Sequence, residues 1–505
     1  MAHVGRASER GSRALDAVDH PHAASPPSRP TVGRHALLYA LARGIPGLVL
    51  LASIALYTRL VPPAEYGLYA LVVLSVNVAN IIIFQWLRIA VLRFLPAREG
   101  DLEAFKATVL TCYGACALVA VGCAAVAAPA TGEPRLVAMG LGLLMAQAWF
   151  ELNLEWARAE LRPFRYGAIN FAKAALALAV GALLALRGMG GLGLLLGLGV
   201  GMAVPAAASS RSWLNVRPRL AAPAIRNELV RYGLPLTITF ALGFVLAMSD
   251  RLMLAWFLDE EAVGLYAVGY DLPRQSMGML MMVVNLAAFP LAIRAMESGD
   301  TTALRAQLNA NAAALVSVAA PLCVLFVLLR ENIAHVVLGD QYGIAAAQVI
   351  PWIAVGALLE GAKSYYMDHS FHLSKQTRLH ASVTGIAMLM NVLLNALWIP
   401  RFGILGAAYS TVVSYAVAIA LSWAVGRSVL KMPIPWRIVV QVLLCCAVMA
   451  SSLLLLGDGH GLSSLVLRVA IGGLTYVVAL AALNVGGIRD RAWRPGLRSP
   501  ARDLA

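Results

Sequence analysis

The sequence predicts an all-α integral membrane protein of about fourteen transmembrane helices, in two related six-helix bundles plus two C-terminal helices. Three observations predict it. The 505-residue chain is 60% hydrophobic and only 13% charged, with a mean hydropathy of +0.75, too few charges to cover a soluble surface. Apolar runs of twenty residues or more recur from Ala36 to Leu483; each is long enough to span the hydrocarbon core as a helix, and none resembles the short alternating segments of a barrel. A motif near the N-terminus also returns in mid-chain. RLVPPAEYGLYAL (Arg59 to Leu71) matches FLDEEAVGLYAV (Phe257 to Val268) around a shared Gly-Leu-Tyr-Ala, with Gly67 and Gly264 197 positions apart.

Taken in order, residues 1–34 are polar and without apolar periodicity, which predicts a disordered cytoplasmic tail rather than a signal peptide. Hydropathy then places spans at 36–58, 67–92, 107–129, 136–157, 166–186, 190–210, 232–257, 263–292, 310–330, 344–366, 379–399, 404–426, 437–457 and 462–485. Residues 35–231 form the first bundle (helices 1–6) with a cytoplasmic linker, and 232–430 the second (helices 7–12). Residues 431–486 supply helices 13 and 14, and 487–505 a basic cytoplasmic tail. Helix 8 exceeds what a bilayer needs, so tilt or a kink is expected, with Pro273 and Pro290 as the candidate points. GGLGLLLGLGVG (Gly190 to Gly201) sits inside an apolar span and reads as close packing through small residues rather than nucleotide binding. A second echo pairs the turns RGMGGLG (Arg187 to Gly193) and RFGILGAA (Arg401 to Ala408), the pattern of a parallel-repeat transporter with a substrate path between bundles.

With the N-terminus inside, 28 of the 40 lysines and arginines fall in inner loops and tails and 5 in outer turns. This asymmetry places both termini in the cytoplasm, and an even number of spans agrees. The net charge of +14 is therefore a topology signal rather than a nucleic-acid footprint. No connection is long enough for a catalytic domain; the longest outer turn runs from about Glu331 to Gly343. The six cysteines lie inside apolar runs without metal-ligand spacing and read as packing thiols. No cofactor is indicated.

Seven cations remain inside predicted spans: Arg43, Arg88, Lys173, Arg251, Arg274, Lys363 and Arg468. Each would cost about 2.5–3.5 kcal/mol at mid-bilayer, so ionisable groups there are functional candidates by default. The in-span acids are fewer: Glu151, Glu155, Asp250, Asp271 and Glu360. Asp271 with Arg274, and Glu360 with Lys363, are three apart on one helix face and positioned to neutralise each other. The positive remainder favours an anionic substrate, and arginine suits phosphate. For Arg88, Lys363 and Arg251, near helix ends, snorkelling to the interface competes with that role. Arg468, in an appended helix, is left outside the site. Asn77, Asn80, Gln85, Asn170, Gln275, Asn285, Asn391 and Asn395 are candidates for sugar contacts or for interhelical hydrogen bonds. Tyr365, Tyr366, His369 and His372 read as interface anchors.

Five stretches carry a resemblance. SDRLMLAWFLDEEAVGLYAVGYDL, TRLVPPAEYGLYAL (Thr58 to Leu71), AVLRFLPA (Ala90 to Ala97), AAFPLAIRAMESGD (Ala287 to Asp300) and NVLLNALWIPRFGILGAAYSTVVSY (Asn391 to Tyr415) together resemble the bacterial polysaccharide-transport flippases, the Wzx-type O-antigen and exopolysaccharide exporters of the MOP superfamily. The resemblance covers about residues 36–430. It implies a non-enzymatic flippase of the bacterial cytoplasmic membrane that passes a lipid-linked oligosaccharide, on polyprenyl diphosphate, between leaflets by alternating access. It also implies a cationic cavity, for which Arg43, Arg88, Lys173, Arg251, Arg274 and Lys363 are candidates by position. Coupling to H+ or Na+ is implied too, with Asp250, Asp271 and Glu360 as the acids able to carry it, as are partners among polysaccharide polymerase and assembly proteins. Three rivals stand beside this reading: a cation-coupled multidrug antiporter of the same superfamily, a membrane glycan polymerase or ligase, and a non-transporting structural partner. The cationic balance argues against the first, the short outer turns against the second, and the buried charges against the third.

Overall fold

The computed structural model describes residues 47–485 apart from 99, 161, 458 and 460. Both expected tails, and Arg43, lie outside the described residues. Among these residues the only regular structure is helical, without strands. The helices are α1 (Gly47–Leu60), α2 (Pro63–Phe94), α3 (Leu102–Thr131), α4 (Pro134–Ala159), α5 (Pro163–Leu184), α6 (Gly190–Ser209), α7 (Pro223–Ala247), α8 (Ser249–Phe257), α9 (Glu260–Glu297), α10 (Thr301–Leu328), α11 (Arg330–Val337), α12 (Asp340–Ala362), α13 (His369–Leu373), α14 (Thr377–Phe402), α15 (Ile404–Gly426), α16 (Trp436–Leu455) and α17 (Leu462–Ala482).

Their ends follow local chemistry. Proline opens α2, α4 and α5, where its missing N–H is an orphan in any case. The acidic turn 259–261 is a helix start: Asp259 Oδ1 accepts from Ala262 N at 2.8 Å, and Glu260 and Glu261 occupy the first turn of α9, favoured by the helix dipole. Asp300 caps α10 through Thr302 N (2.8 Å) and Ala303 N (3.0 Å). The expected kink points Pro273 and Pro290 lie within α9, one element of 38 residues.

Eleven helices are long and apolar enough to cross a membrane among the described residues, so the chain is a multi-pass integral membrane protein. The fourteen expected spans differ from this number at three places. The α1 helix is described only from Gly47 and is short. Residues 163–209 form one apolar stretch that turns back at Gly188 and Gly190, both at positive φ, into α5 and α6. The seventh expected span is divided at Met248 between α7 and α8. The expected outer loop from Glu331 to Gly343 is also different: most of it is α11 and the start of α12.

Apolar side chains bury in three clusters. One joins α1, α2 and α8–α12 around Tyr266, Tyr342 and Met277. The second joins α2–α7 around Phe84, Phe105 and Trp156. The third joins α16 and α17 to α10, with Tyr476 OH donating to the Ser317 carbonyl at 2.8 Å. The glycine-rich α6 packs on α5, where a β-carbon at Gly197 would collide with Gly181, as small-residue helix packing requires.

Both echoes have a structural counterpart. A β-carbon on Gly67 would run into the Glu260 carbonyl, and one on Gly264 into the Pro63 carbonyl, so the two Gly-Leu-Tyr-Ala helix starts cross backbone to backbone in a reciprocal contact. The paired turns share a backbone conformation as well: Gly190 has φ 49°, ψ −134°, and Gly403 has φ 60°, ψ −138°.

Candidate functional site

In the second half of the chain, α8, α9 and α12 bring charges together. Arg274 donates to both oxygens of Glu360, Nε to Oε2 at 3.0 Å and Nη2 to Oε1 at 2.8 Å. Arg251 pairs with Asp271. Both guanidiniums lie 5.5 Å from the Tyr270 ring centroid, within cation–π range. Asp250 is buried; its Oδ2 accepts from Tyr266 OH at 2.8 Å and its Oδ1 from Arg251 N at 2.9 Å.

These pairings correct the sequence reading. Asp271 does not neutralise Arg274, nor Glu360 Lys363. Both expected pairs lay along one helix, whereas each carboxylate meets a cation of another helix: Asp271 takes Arg251 of α8, and Glu360 takes Arg274 of α9. Lys363 Nζ instead bonds Asp368 at 2.7 Å. A π-turn over Lys363–Met367 makes this possible; Asp368 N donates to Lys363 O five residues back at 2.9 Å, the spacing of a π-helix. Asp368 also accepts from Ser422 Oγ at 2.8 Å and contacts His380 Nε2 at 3.2 Å.

Two cavities flank the Arg274–Glu360 pair. The first, of about 190 Å³, is lined only by second-half residues, including Asp250, Tyr270, Lys363, Thr384, Asn391, Thr411 and Tyr415. It is smaller than typical small-molecule pockets of about 300–1,000 Å³ and suits an ion with water. The second, of about 380 Å³, is lined by Gln275, Met279, Met282, Gly361 and Tyr365. It lies where α1 meets α9, since a β-carbon on Gly47 would come within 2.9 Å of Met279 Sδ. Arg274, Glu360 and Ser364 line both cavities.

In the first half, α2 and α4 enclose a polar seam. Glu151 pairs with Arg88 and accepts from Asn80 Nδ2 at 2.8 Å and Gln147 Nε2 at 3.0 Å. Gln147 also donates to Asn77 Oδ1 at 2.8 Å. Lys173 sits 5.1 Å over the Phe150 ring.

Arg88 and Lys363 therefore do not snorkel; both are buried on a carboxylate. Arg251 is likewise enclosed, its side chain 12% exposed. The expected interface anchors Tyr366 and His369 are buried too. Asp368 was missed by the sequence reading because it falls two residues past the expected helix end, and its presence shrinks the apparent excess of cations. Tyr270 and Tyr266 were missed because tyrosines count as apolar in a hydropathy reading. Among the described residues no group of three or more His, Cys, Asp or Glu could hold a metal ion.

Comparison with known proteins gives three findings. A family model described as polysaccharide biosynthesis protein matches residues 56–347. The chain is 22% identical over 197 residues to the probable low-salt glycan biosynthesis flippase Agl15 of Haloferax volcanii, covering 39% of this chain and 41% of the relative; it thus spans about two fifths of the length of that curated relative, which is archaeal. In fold it is similar to the lipid II flippase MurJ in an inward closed conformation (TM-score 0.73, 13% identity, 90% of this chain and 100% of that one). It is also similar to an inward-facing multidrug resistance MATE family transporter of the MOP superfamily (TM-score 0.60, 13% identity, 78% and 97%).

Proposed function

Since the chain belongs to the polysaccharide biosynthesis protein family, we propose that it is a flippase for an oligosaccharide linked to polyprenyl diphosphate. It carries the head group from the inner to the outer leaflet of a bacterial cytoplasmic membrane, supplying polymerase and assembly proteins of O-antigen or exopolysaccharide type. One observation carries the reading of the substrate. Arg274 lies on the wall of the second cavity, fixed by two hydrogen bonds yet with its side chain 36% exposed, a planar donor fork of the kind that matches phosphate oxygens.

Arg274 is the principal anion contact in this reading, with Lys173 as the candidate from the first half; Arg43 keeps its candidacy from the sequence alone. Arg251 supports it through Tyr270. Arg88 and Lys363 hold structure, because each is buried on its own carboxylate. The lipid tail stays in the bilayer while two six-helix bundles rock about the site, in a fourteen-span topology with both termini cytoplasmic. No covalent step is involved. A proton or sodium ion enters the first cavity at Asp250, with Glu360 the second carboxylate there and Asp271 held in reserve by Arg251.

The test is a deletion strain complemented with wild type or Arg274→Ala, scored for lipid-linked glycan at the inner leaflet and polysaccharide at the surface. Accumulation inside with loss outside, restored by wild type only, is the expected result. Unchanged glycan in the deletion strain would overturn it. A second reading, a cation-coupled multidrug antiporter, draws support from the buried carboxylate Asp250 on a cavity. Drug sensitivity of the deletion strain with normal surface glycan would select it.

A further inference from the structure

Arg274 and Glu360 are partners across a wall rather than within a core. The first cavity lies on one side of the pair and the second on the other, and both residues line both. Their side chains are 36% and 26% exposed, whereas those of Lys363 and Asp368 are 6% and 2%. Glu360 thus faces two environments. On the first-cavity side stand oxygen groups: Asp250, Asn391, Thr411 and Tyr415. On the second stand Gln275, three methionines and the approach to α1.

We propose that this ion pair is a counter-ion exchange switch, a mechanism that rests on the flippase reading above. A diphosphate entering the second cavity takes Arg274, and the released Glu360 carboxylate takes a monovalent cation in the first. The electrostatics require the second step. A diphosphate on Arg274 leaves Glu360 as an unpaired like charge in a poorly solvated wall, which is unfavourable until the carboxylate is neutralised. The other charged and titratable groups around Glu360 do not supply that neutralisation. Lys363, on its own helix, is held by Asp368. Arg251, beside Tyr270, is held by Asp271. Asp250 on α8 is itself acidic, and Tyr270 on α9 and Tyr415 on α15 bring hydroxyls rather than a cation. Anion and cation therefore bind together, and departure of either restores the ion pair. This makes the binding of a headgroup and of a cation mutually dependent without contact between them.

The test uses the full chain purified in detergent, with farnesyl diphosphate as the probe. Binding is measured by calorimetry at constant ionic strength, with sodium exchanged for choline in one series and pH varied in another. In the wild type, Kd is expected to fall about tenfold for each tenfold rise of one of the two cations, as joint uptake of one ion requires; the series that responds identifies sodium or the proton. Glu360→Gln is expected to bind at least as tightly with that dependence gone, and the difference from wild type removes the probe's own ionisation. Arg274→Gln frees Glu360 permanently; it is expected to lose probe binding while the same cation still raises its melting temperature. Wild-type binding indifferent to both cations, a dependence that persists in Glu360→Gln, or an Arg274→Gln protein that the cation does not stabilise would each overturn the switch and leave the flippase reading standing. No probe binding by the wild type would overturn both.

Discussion

Arg88 and Arg274 are both arginines paired with a glutamate of another helix, and the two glutamates are similarly exposed (23% and 26%), but the arginines and the space beside each pair differ. The Arg88 side chain is 9% exposed, and its partner Glu151 also collects Asn80 and Gln147. The Arg274 side chain is 36% exposed, and its pair borders two cavities. A carboxylate that satisfies a buried arginine and is held by several donors is a fixed part of the packing, because breaking the pair leaves the arginine an uncompensated buried charge. One at a cavity wall has somewhere else to turn. A cation inside a membrane span is thus not by itself a substrate contact; the space beside it decides.

The sharpest way to break this comparison is Glu151→Ala. It should cost about 3–5 kcal/mol by stranding Arg88, read as loss of folded protein in detergent-solubilised extracts. The double replacement Arg88→Met with Glu151→Leu should recover most of that. Equal tolerance of Glu151→Ala and Glu360→Ala would erase the distinction between seam and wall. Gly264→Val comes next. Its side chain meets the Pro63 carbonyl, and overpacking of this kind costs about 1–3 kcal/mol. Transport should fall at least tenfold while the protein still inserts, with a cysteine placed near Val61 becoming more reactive to a polar maleimide. Arg274→Lys keeps the charge and loses the two-pronged contact. Affinity for farnesyl diphosphate should fall about tenfold, given that hydrogen bonds to charged groups contribute about 1.5–3 kcal/mol, with melting temperature near that of wild type. Last comes Lys173→Met, whose effect on stability is modest. It removes a cation–π contact of about 0.5–2 kcal/mol but leaves no carboxylate behind. A drop in flipping larger than the stability change would mark Lys173 as a substrate contact, and its absence would return the lysine to packing.

Much of the architecture was readable from the residues. Long apolar runs announced the helices, and the repeated Gly-Leu-Tyr-Ala pointed to two helix starts that proved to touch. The site was less readable for a physical reason. Helical periodicity tells which residues share a face, but not which helix stands opposite. Reading three-residue spacing along α9 and α12 therefore gave Asp271–Arg274 and Glu360–Lys363, and the interhelical partners Arg251 and Arg274 could not be chosen that way. Asp368 escaped because only a π-turn returns it to Lys363, and nothing in the local hydropathy distinguishes such a turn from the end of a span. The sequence did single out Arg274 and Glu360 separately; that they share one wall required the packing of α9 on α12.

The crossing of α2 and α9 at Gly67 and Gly264 has a mechanical consequence. The contact lies near one end of each helix, with 27 residues remaining to Phe94 and 33 to Glu297. At about 1.5 Å per residue these are levers of roughly 40 and 50 Å pivoting on a fulcrum free of side chains. A tilt of about 10° at the fulcrum sweeps the far ends through roughly 7–9 Å, close to the width of a helix. A tilt about the two glycines would therefore turn a small movement at one end of each helix into a large one at the other.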